Sequence, residues 1–545
     1  MTSRCLGHRA PLLWLVLPLI AGLAAGKLGL TAPVDWQLAA AFGAAAIAVF
    51  ASWLFPRGWA PALLIALFLA GGASYALQRA RLPAWDALPP RETQLNLRVD
   101  RVFASGNTRK ASGLATVARA GDHLPELRGQ HIYFSLALRP GEAPPIRSAT
   151  ISAVGVLVTL PRNPPTDTFD GYLAAAGMNF RLTRGRVLGP VEPPLAYYRF
   201  CAGAAGRFKE ILGRGIAEKR PALAGLLRAM MLGETHELSD EQHTLFMQSG
   251  TMHLFAISGL NIGVIAGSLQ ALLLLLRLPG WVRFVIGAAL LGLFVDVTGA
   301  SPSAVRAFAM AVFVHAAYVW RRPANPLAAL VASAAVVLCA APLQLFSASF
   351  LMSDGIVTAL LVLGLPLGEA WRARWKPWRD LPAATWRPWQ KAVDVAWQWL
   401  STTLAIGVAT TLVGLLTGVQ FFRLLTPGSL VANLVLIPAA MAATLGGFAS
   451  LLCGLVGFTP GAILCNHAAA VILLAIEWLV RSSVQLPGAY LAAHFSPAWV
   501  GPATLTLLLA ALLAGYGADW RRDRGGWWPP FAIVAGALIF GMKFG

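Results

Sequence analysis

Three polar side chains, His253, Ser258 and Asn261, stand close together at the head of a run that carries no charge until Arg277. Hydrocarbon excludes such groups unless they face protein or water, so each requires a partner or a wet passage. A histidine and a serine also raise the chemistry of a base and a nucleophile. These two are five residues apart, which on a helix sets them on different faces, and no third group stands near to orient the imidazole. Gly259, Gly263 and Gly267 recur every four residues through the same run and so share one helix face. In lipid a stripe of that kind admits another helix almost backbone to backbone, so the spacing predicts tight packing at all three glycines. The plainer alternative is a dry helix pair whose polar groups are satisfied internally.

Further along, Asp296 and Arg306 flank V-T-G-A-S-P-S-A-V-R, in which Ser301 is placed to cap a helix and Pro302 to occupy its first position. An Asp296–Arg306 pair across that hairpin is expected, either as a lock between two helices or in a direct role. Ser353 and Asp354 stand early in one apolar span, Asn433 early in another and Glu477 late in a third. A charge at the bilayer centre costs about 2.5–3.5 kcal/mol on insertion scales, so each predicts a partner or a cavity. Pro366 and Pro438 free backbone carbonyls in mid-span, which is tolerated where they line a cavity. No Walker A sequence, dinucleotide glycine fingerprint, His-x-His-x-Asp-His or carboxylate cluster with ligand spacing occurs, so no catalytic residue, cofactor or metal is expected. The five cysteines are scattered without a Cys-x-x-Cys, which suggests neither a disulfide framework nor a zinc site.

The elements that must position these groups follow from composition. Of 545 residues, 57% are hydrophobic and only 12% charged, which places the chain among polytopic α-helical membrane proteins. Runs long enough, or nearly so, to cross a bilayer occupy 12–30, 36–55, 60–78, 254–276, 282–298, 303–320, 325–342, 348–370, 395–417, 428–453, 461–481, 499–517 and 528–544. The first is read as a retained anchor. Arg4, Arg9 and Arg57, then Arg277 and Arg283, Arg321 and Arg322, the basic tryptophan-rich loop 371–391, and Arg521, Arg522 and Arg524 all fall on alternate loops. The positive-inside rule makes those loops and the amino terminus cytoplasmic, and it absorbs much of the +19 net charge. On that topology His253, Ser353, Asp354, Asn433 and Glu477 share the outer half, predicting a polar vestibule that tapers inward. The interruption at 421–427 is read as re-entrant.

Residues 91–192, inserted after the anchoring helices of 1–80, change character. Short alternating runs at 94–103, 130–138 and 149–158, separated by Gly and Pro clusters, predict a β-rich barrel of about five strands, of the OB type, outside the membrane. Arg98, Arg101, Tyr133 and Phe134, with Arg109 and Lys110, are placed to contact a nucleic acid strand, against the alternative that the aromatics are core. Residues 195–222 suit an amphipathic interfacial helix. Ser239 or Asp240 is placed to cap a further helix before the transmembrane region of 223–545.

At these residues the chain resembles the ComEC family, the inner-membrane channel proteins of bacterial DNA uptake. The resemblance is carried by G-T-M-H-L-F-A-I-S-G-L-N-I-G, L-L-R-A-M-M-L-G-E, T-G-A-S-P-S-A-V-R-A-F-A-M, S-F-L-M-S-D-G-I and V-A-N-L-V-L-I-P, and by N-P-P-T-D-T-F-D-G-Y-L-A-A-A-G-M in the barrel. It implies a non-enzymatic channel for single-stranded DNA in natural transformation. His253, Ser258, Gly259, Asn261, Gly263, Arg306, Ser353, Asp354 and Asn433 would lie along the path. The implied partners are single-stranded DNA, the lipid bilayer, a periplasmic DNA receptor, and a cytoplasmic translocating motor or strand-binding protein. Many members continue into a metallo-β-lactamase-like domain, and this chain ends at Gly545 without its motif, so a separate nuclease is expected. Asn261 stands where the family usually has His. The competing readings are a small-solute transporter, which would show an inverted repeat, and a non-catalytic membrane scaffold.

Overall fold

The computed structural model describes residues 10–55, 58–79, 89–107, 109–121, 124–378, 381–382, 385–518 and 526–544. The topology-setting Arg4, Arg9, Arg57, Arg521, Arg522 and Arg524 lie outside the described residues.

Strict alternation builds the β domain. Strands β1 (Arg91–Phe103), β2 (Lys110–Ala120), β3 (His131–Ala137), β4 (Thr150–Thr159) and β5 (Phe180–Glu192) close into a barrel in the order β1-β2-β3-β5-β4. Every neighbouring pair is antiparallel except β3 with β5. Inward positions at period two supply the core, including Leu95, Leu97, Val99, Ala115, Val117, Ile132 and Leu182. Phe134 belongs to this core with 0% of its surface exposed, so the expectation that it contacts a nucleic acid is overturned: the pleat turns it inward. Helix α4 (Phe169–Ala175) lies between β4 and β5.

The helical part begins with α1 (Leu13–Lys27), α2 (Val34–Leu54) and α3 (Trp59–Arg79). After the barrel come α5 (Ala196–Gly213), α6 (Pro221–Leu232), α7 (Asp240–Gln248), α8 (Gly259–Leu275), α9 (Gly280–Val297), α10 (Pro302–Val319) and α11 (Pro326–Ala340). Then follow α12 (Ala348–Ala359), α13 (Leu365–Arg374), α14 (Pro388–Phe422), α15 (Ser429–Leu455), α16 (Thr459–Val484), α17 (Val500–Ala518) and α18 (Trp528–Phe540). Among the described residues ten helical segments are long and apolar enough to cross a membrane, and the chain is a multi-pass membrane protein. The spans expected at 12–30, 325–342 and 528–544 form helices of 15, 15 and 13 residues, shorter than a straight crossing. A small sheet joins β6 (Leu424–Leu425), β7 (Leu491–Phe495) and β8 (Met542–Phe544), so the interruption at 421–427 carries a strand. One π-helical turn, Leu360–Gly364, links α12 to α13 just before Pro366, whose ring cannot continue regular helical bonding.

Two hydrophobic cores organise these helices. One gathers side chains from α5 to α10 with α15 and α16. The other gathers α1, α11, α12, α14, α17 and α18.

Glycine-mediated close approach occurs, though away from the predicted stripe. A Cβ at Gly22 of α1 would strike the Phe68 carbonyl of α3, and one at Gly71 would strike the Leu19 carbonyl. Gly364 and Gly368 likewise admit the α14 backbone at Ile406 and Thr402, where a Cβ would stand 3.0 and 3.2 Å from the Cα atoms. Among the described residues a Cβ at Gly263 or Gly267 would meet nothing within 4 Å, and one at Gly259 only the Ala307 Cβ at 3.7 Å. The packing predicted for the stripe is therefore corrected: Gly259 meets a side chain and no backbone, and Gly263 and Gly267 line an open side of α8 among the described residues.

Candidate functional site

The stretch from Ser249 to Ser258 is not the opening of one long helix. Helix α7 starts at Ser239, which forms a capping box with Gln242, and it stops at Gln248. Gly250 turns left-handed at φ +71°, a single 3₁₀ turn covers Met252–Leu254, and α8 begins only at Gly259. Ser258 caps it, accepting from the Asn261 amide at 3.3 Å. Irregular backbone inside an apolar region survives where protein buries it. Thr251, Leu254 and Phe255 are almost fully buried and do so here.

Three of the motif segments converge beside this turn. Ser301 caps α10 and Pro302 takes its first position, as the sequence predicts. Ser303 donates to the Ile257 carbonyl at 2.7 Å, and Gly259 faces Ala307, so the turn and α10 are pinned together. Arg306, one residue before Ala307, crosses to α12. Its Nε lies 2.9 Å from Asp354 Oδ2, while Nη2 donates to the Ser349 carbonyl at 2.6 Å and reaches Ser349 Oγ at 3.1 Å. Its guanidinium also stands over the Phe350 ring, 5.4 Å from the centroid.

The Arg306 side chain is 3% exposed and that of Asp354 14%. The pair sits at ion-pair distance but off the line a hydrogen bond needs. Among the described residues Arg306 Nη1 and both Asp354 carboxylate oxygens have no hydrogen-bond partner. A buried pair left partly unsatisfied gives up stability, because desolvation outweighs the Coulomb attraction unless the remaining lone pairs are met. Ser353 is half-buried on the same helix. Ser349 and Phe350 were the residues sequence reasoning missed. They stand inside the quoted S-F-L-M-S-D stretch, but only a fold brings them to Arg306.

The expected Asp296–Arg306 pair does not form. Asp296 turns to the barrel instead, accepting from Arg147 at 3.2 Å and from the Tyr197 hydroxyl at 2.7 Å. That hydrogen bond, aided by burial, raises the Tyr197 phenol well above the usual tyrosine range. The barrel is fastened to other helix ends as well. Arg79, closing α3, donates to the carbonyls of Pro161, Arg162 and Met178, each at 2.7 Å. Past the end of α14, Arg423 pairs with Asp167 at 2.5 Å.

Asn261 is drawn into the helix packing. It is 2% exposed, donates to the Met230 carbonyl at 3.0 Å and accepts from Thr444 at 3.3 Å, so it ties α8 to α6 and α15. His253 is exposed, with Nδ1 3.0 Å from the Gly250 carbonyl of its own turn. Asn433 is half-buried on α15, its Oδ1 without a partner among the described residues. Glu477 pairs along its own helix with Arg481 at 3.7 Å. The residues expected in the vestibule or along the path thus divide: Arg306 and Asp354 pair, with Gly259 against Ala307 of the same helix as Arg306, whereas His253, Asn261 and Glu477 are bonded elsewhere.

On the barrel, Arg98 is exposed and Arg101 half-buried with its guanidinium 5.7 Å from the Phe103 ring centroid. Tyr133 is half-buried among Phe103 and Phe169. Glu234, His236 and Glu237 offer ligand atoms close enough to share a cation. Lys209 at 2.6 Å from Glu234 and Arg228 at 3.1 Å from Glu237 already neutralise those carboxylates.

Comparison with known proteins adds two findings. The model of a family described as "Competence protein" matches residues 230–517, more than half of the chain. "ComE operon protein 3" of Bacillus subtilis is 31% identical over 144 residues, 26% of this chain and 18% of that protein. "Recombination protein 2" of Haemophilus influenzae is 31% identical over 148 residues, 26% of this chain and 19% of the relative. The chain thus spans less than a fifth of the length of the curated relatives it matches. No solved structure matches.

Proposed function

We propose that this chain, which belongs to the competence protein family, conducts single-stranded DNA through a bacterial inner membrane during natural transformation. The observation that carries the reading is the buried Arg306–Asp354 pair where the two helix groups meet, with the Ser258–Gly259 turn beside it. A guanidinium held in an apolar seam with an unpartnered Nη1 is suited to a passing phosphate, and the carboxylate holds its place between passages. Ser353, Gly259 and the open side of α8 at Gly263 and Gly267 would border the same path.

The barrel is taken as OB-like and extracytoplasmic. It rests on the ends of α3, α9 and α14, which the Lys/Arg bias assigns to the outside. Arg98 and Arg101 would meet phosphates and Tyr133 a base before the strand reaches the helices. His253 and Asn433 would stand at the margins of the path. A periplasmic receptor would deliver the strand and a cytoplasmic motor or strand-binding protein would draw it in.

Deleting the gene and following labelled DNA past the inner membrane tests the proposal. Entry should stop and return with the wild-type gene. Unchanged entry in the deletion strain overturns the reading.

A further inference from the structure

Four aromatic rings gather on the outside of the barrel, where its interior core is already complete. In strand register Arg101 stands opposite Leu114, Leu114 opposite Tyr133, and Tyr133 opposite Arg181, one row across β1, β2, β3 and β5. Helix α4 lies over this row, sealing Leu173 and the following Met178 against Leu114 and Tyr133. Leu160 and the helix alanines complete that apolar packing. Phe169 and Tyr172 instead remain 50% and 41% exposed.

The exposed pair joins Phe103 and Tyr133 in a closed circuit. Centroids are 6.3 Å apart for Phe103–Tyr133, 5.1 Å for Tyr133–Phe169, 6.0 Å for Phe169–Tyr172 and 6.3 Å for Phe103–Tyr172. The Arg101 guanidinium stands over one end. The mounting is rigid: Thr168 caps α4 through the Gly171 amide at 3.1 Å, and Asp170 pairs with Arg181 at 2.6 Å. Just upstream, Asp167 pairs with Arg423 and Thr166 accepts from Gln420 at 2.8 Å, which fixes the platform to the end of α14.

We infer that Phe169 and Tyr172, backed by Phe103 and Tyr133, form a base-stacking platform that holds single-stranded nucleic acid at the junction of barrel and helices. Half-exposed rings beside cations suit unpaired bases, because every base offers a π-face while the phosphates meet the charge. Residues 91–192 carry thirteen Lys and Arg against eight Asp and Glu, the complement of a polyanion. The inference rests on the DNA-conduit reading and gives that strand its first docking point.

The test uses the full chain in lipid nanodiscs with two labelled probes of equal charge, a thymidine dodecamer and an abasic oligomer of the same length. Wild type should prefer the dodecamer. In F169A/Y172A the dodecamer should lose about tenfold or more in affinity, the scale of one or two stacked bases, while the abasic probe is unchanged. F169L/Y172L keeps the apolar bulk and the fold but removes the rings, and should behave the same way. Equal binding of both probes by wild type, or a preference that survives in the Leu variant, overturns the platform. The second is also the outcome if these rings serve the lipid headgroup layer. Neither outcome touches the conduit reading, which is decided separately by strand entry in the deletion strain.

Discussion

Arg306 Nε stands 2.9 Å from Asp354 Oδ2, and this contact joins α10, whose Ala304 lies in one hydrophobic core, to α12, whose Phe350 lies in the other. Removing one partner leaves the second charge buried alone, so R306A should destabilise by about 3–5 kcal/mol. The readout is the thermal unfolding midpoint in detergent together with the protein level in membranes. R306M/D354L removes both charges and should recover most of that stability, since apolar replacement of a buried pair is often neutral or better. DNA entry should nevertheless stay lost in the double variant. Restored entry would reduce the pair to a packing device.

The barrel junction predicts a different signature. Arg147 and Asp296 are each about a third exposed, so their pair contributes at most about 1 kcal/mol after screening. D296N should therefore unfold close to wild type. Its effect should appear in Tyr197, whose phenol is raised by the Asp296 carboxylate first and by burial second. A raised folded value means this stabilisation is complete below the ordinary tyrosine range, about pH 10, and fades as pH climbs through the folded value. In an alkaline titration of tyrosinate absorbance, wild type should show a late-ionising tyrosine that Y197F lacks and D296N shifts downward. A late phase that persists in Y197F would assign it to another residue.

The membrane architecture was legible because length and apolarity set a span, and alternation sets a strand. The Ser301–Pro302 start of α10 and the Ser239 cap of α7 were legible for the same local reason: capping is decided within four residues. What sequence concealed lay in tertiary partners. Asp296 is ten positions from Arg306, yet a barrel residue 149 positions away, Arg147, takes it. The break before Gly259 was hidden because Met252, Leu254, Phe255 and Ile257 are as apolar as any helix. Gly250, at positive φ, and the Ser258 cap were its marks. Asn261 read as a path residue because hydropathy registers an amide without its partners.

Those partners make Asn261 a stability site. N261L would leave the Met230 carbonyl buried without its donor, a cost of about 1–3 kcal/mol. Thr444 keeps its bond to the Ala440 carbonyl at 2.8 Å, so the loss should stay near the lower end. N261L should lower the unfolding midpoint, and protein that survives in the membrane should still pass DNA. A stable N261L protein that fails to pass DNA would return the residue to the path.

The glycines separate packing from passage most cleanly. At Gly364 a Cβ would stand 3.0 Å from the Ile406 Cα, which is backbone and cannot swing aside, so G364L must force the π-helical turn and α14 apart. Overpacking of that kind costs about 1–3 kcal/mol and should depress both the unfolding midpoint and DNA entry. Gly263 and Gly267 present the opposite case, since a Cβ at either meets nothing within 4 Å. Glycine inside a helix is itself unfavourable by about 1 kcal/mol relative to alanine, so G263A and G267A should hold or raise the midpoint. G263L extends a side chain onto the open side, where its Cβ meets no described residue within 4 Å. If that side borders the strand, G263L should keep wild-type stability and protein level while DNA entry falls at least tenfold. If it faces lipid, entry should remain at the wild-type rate, and the path must then run along another face of α8.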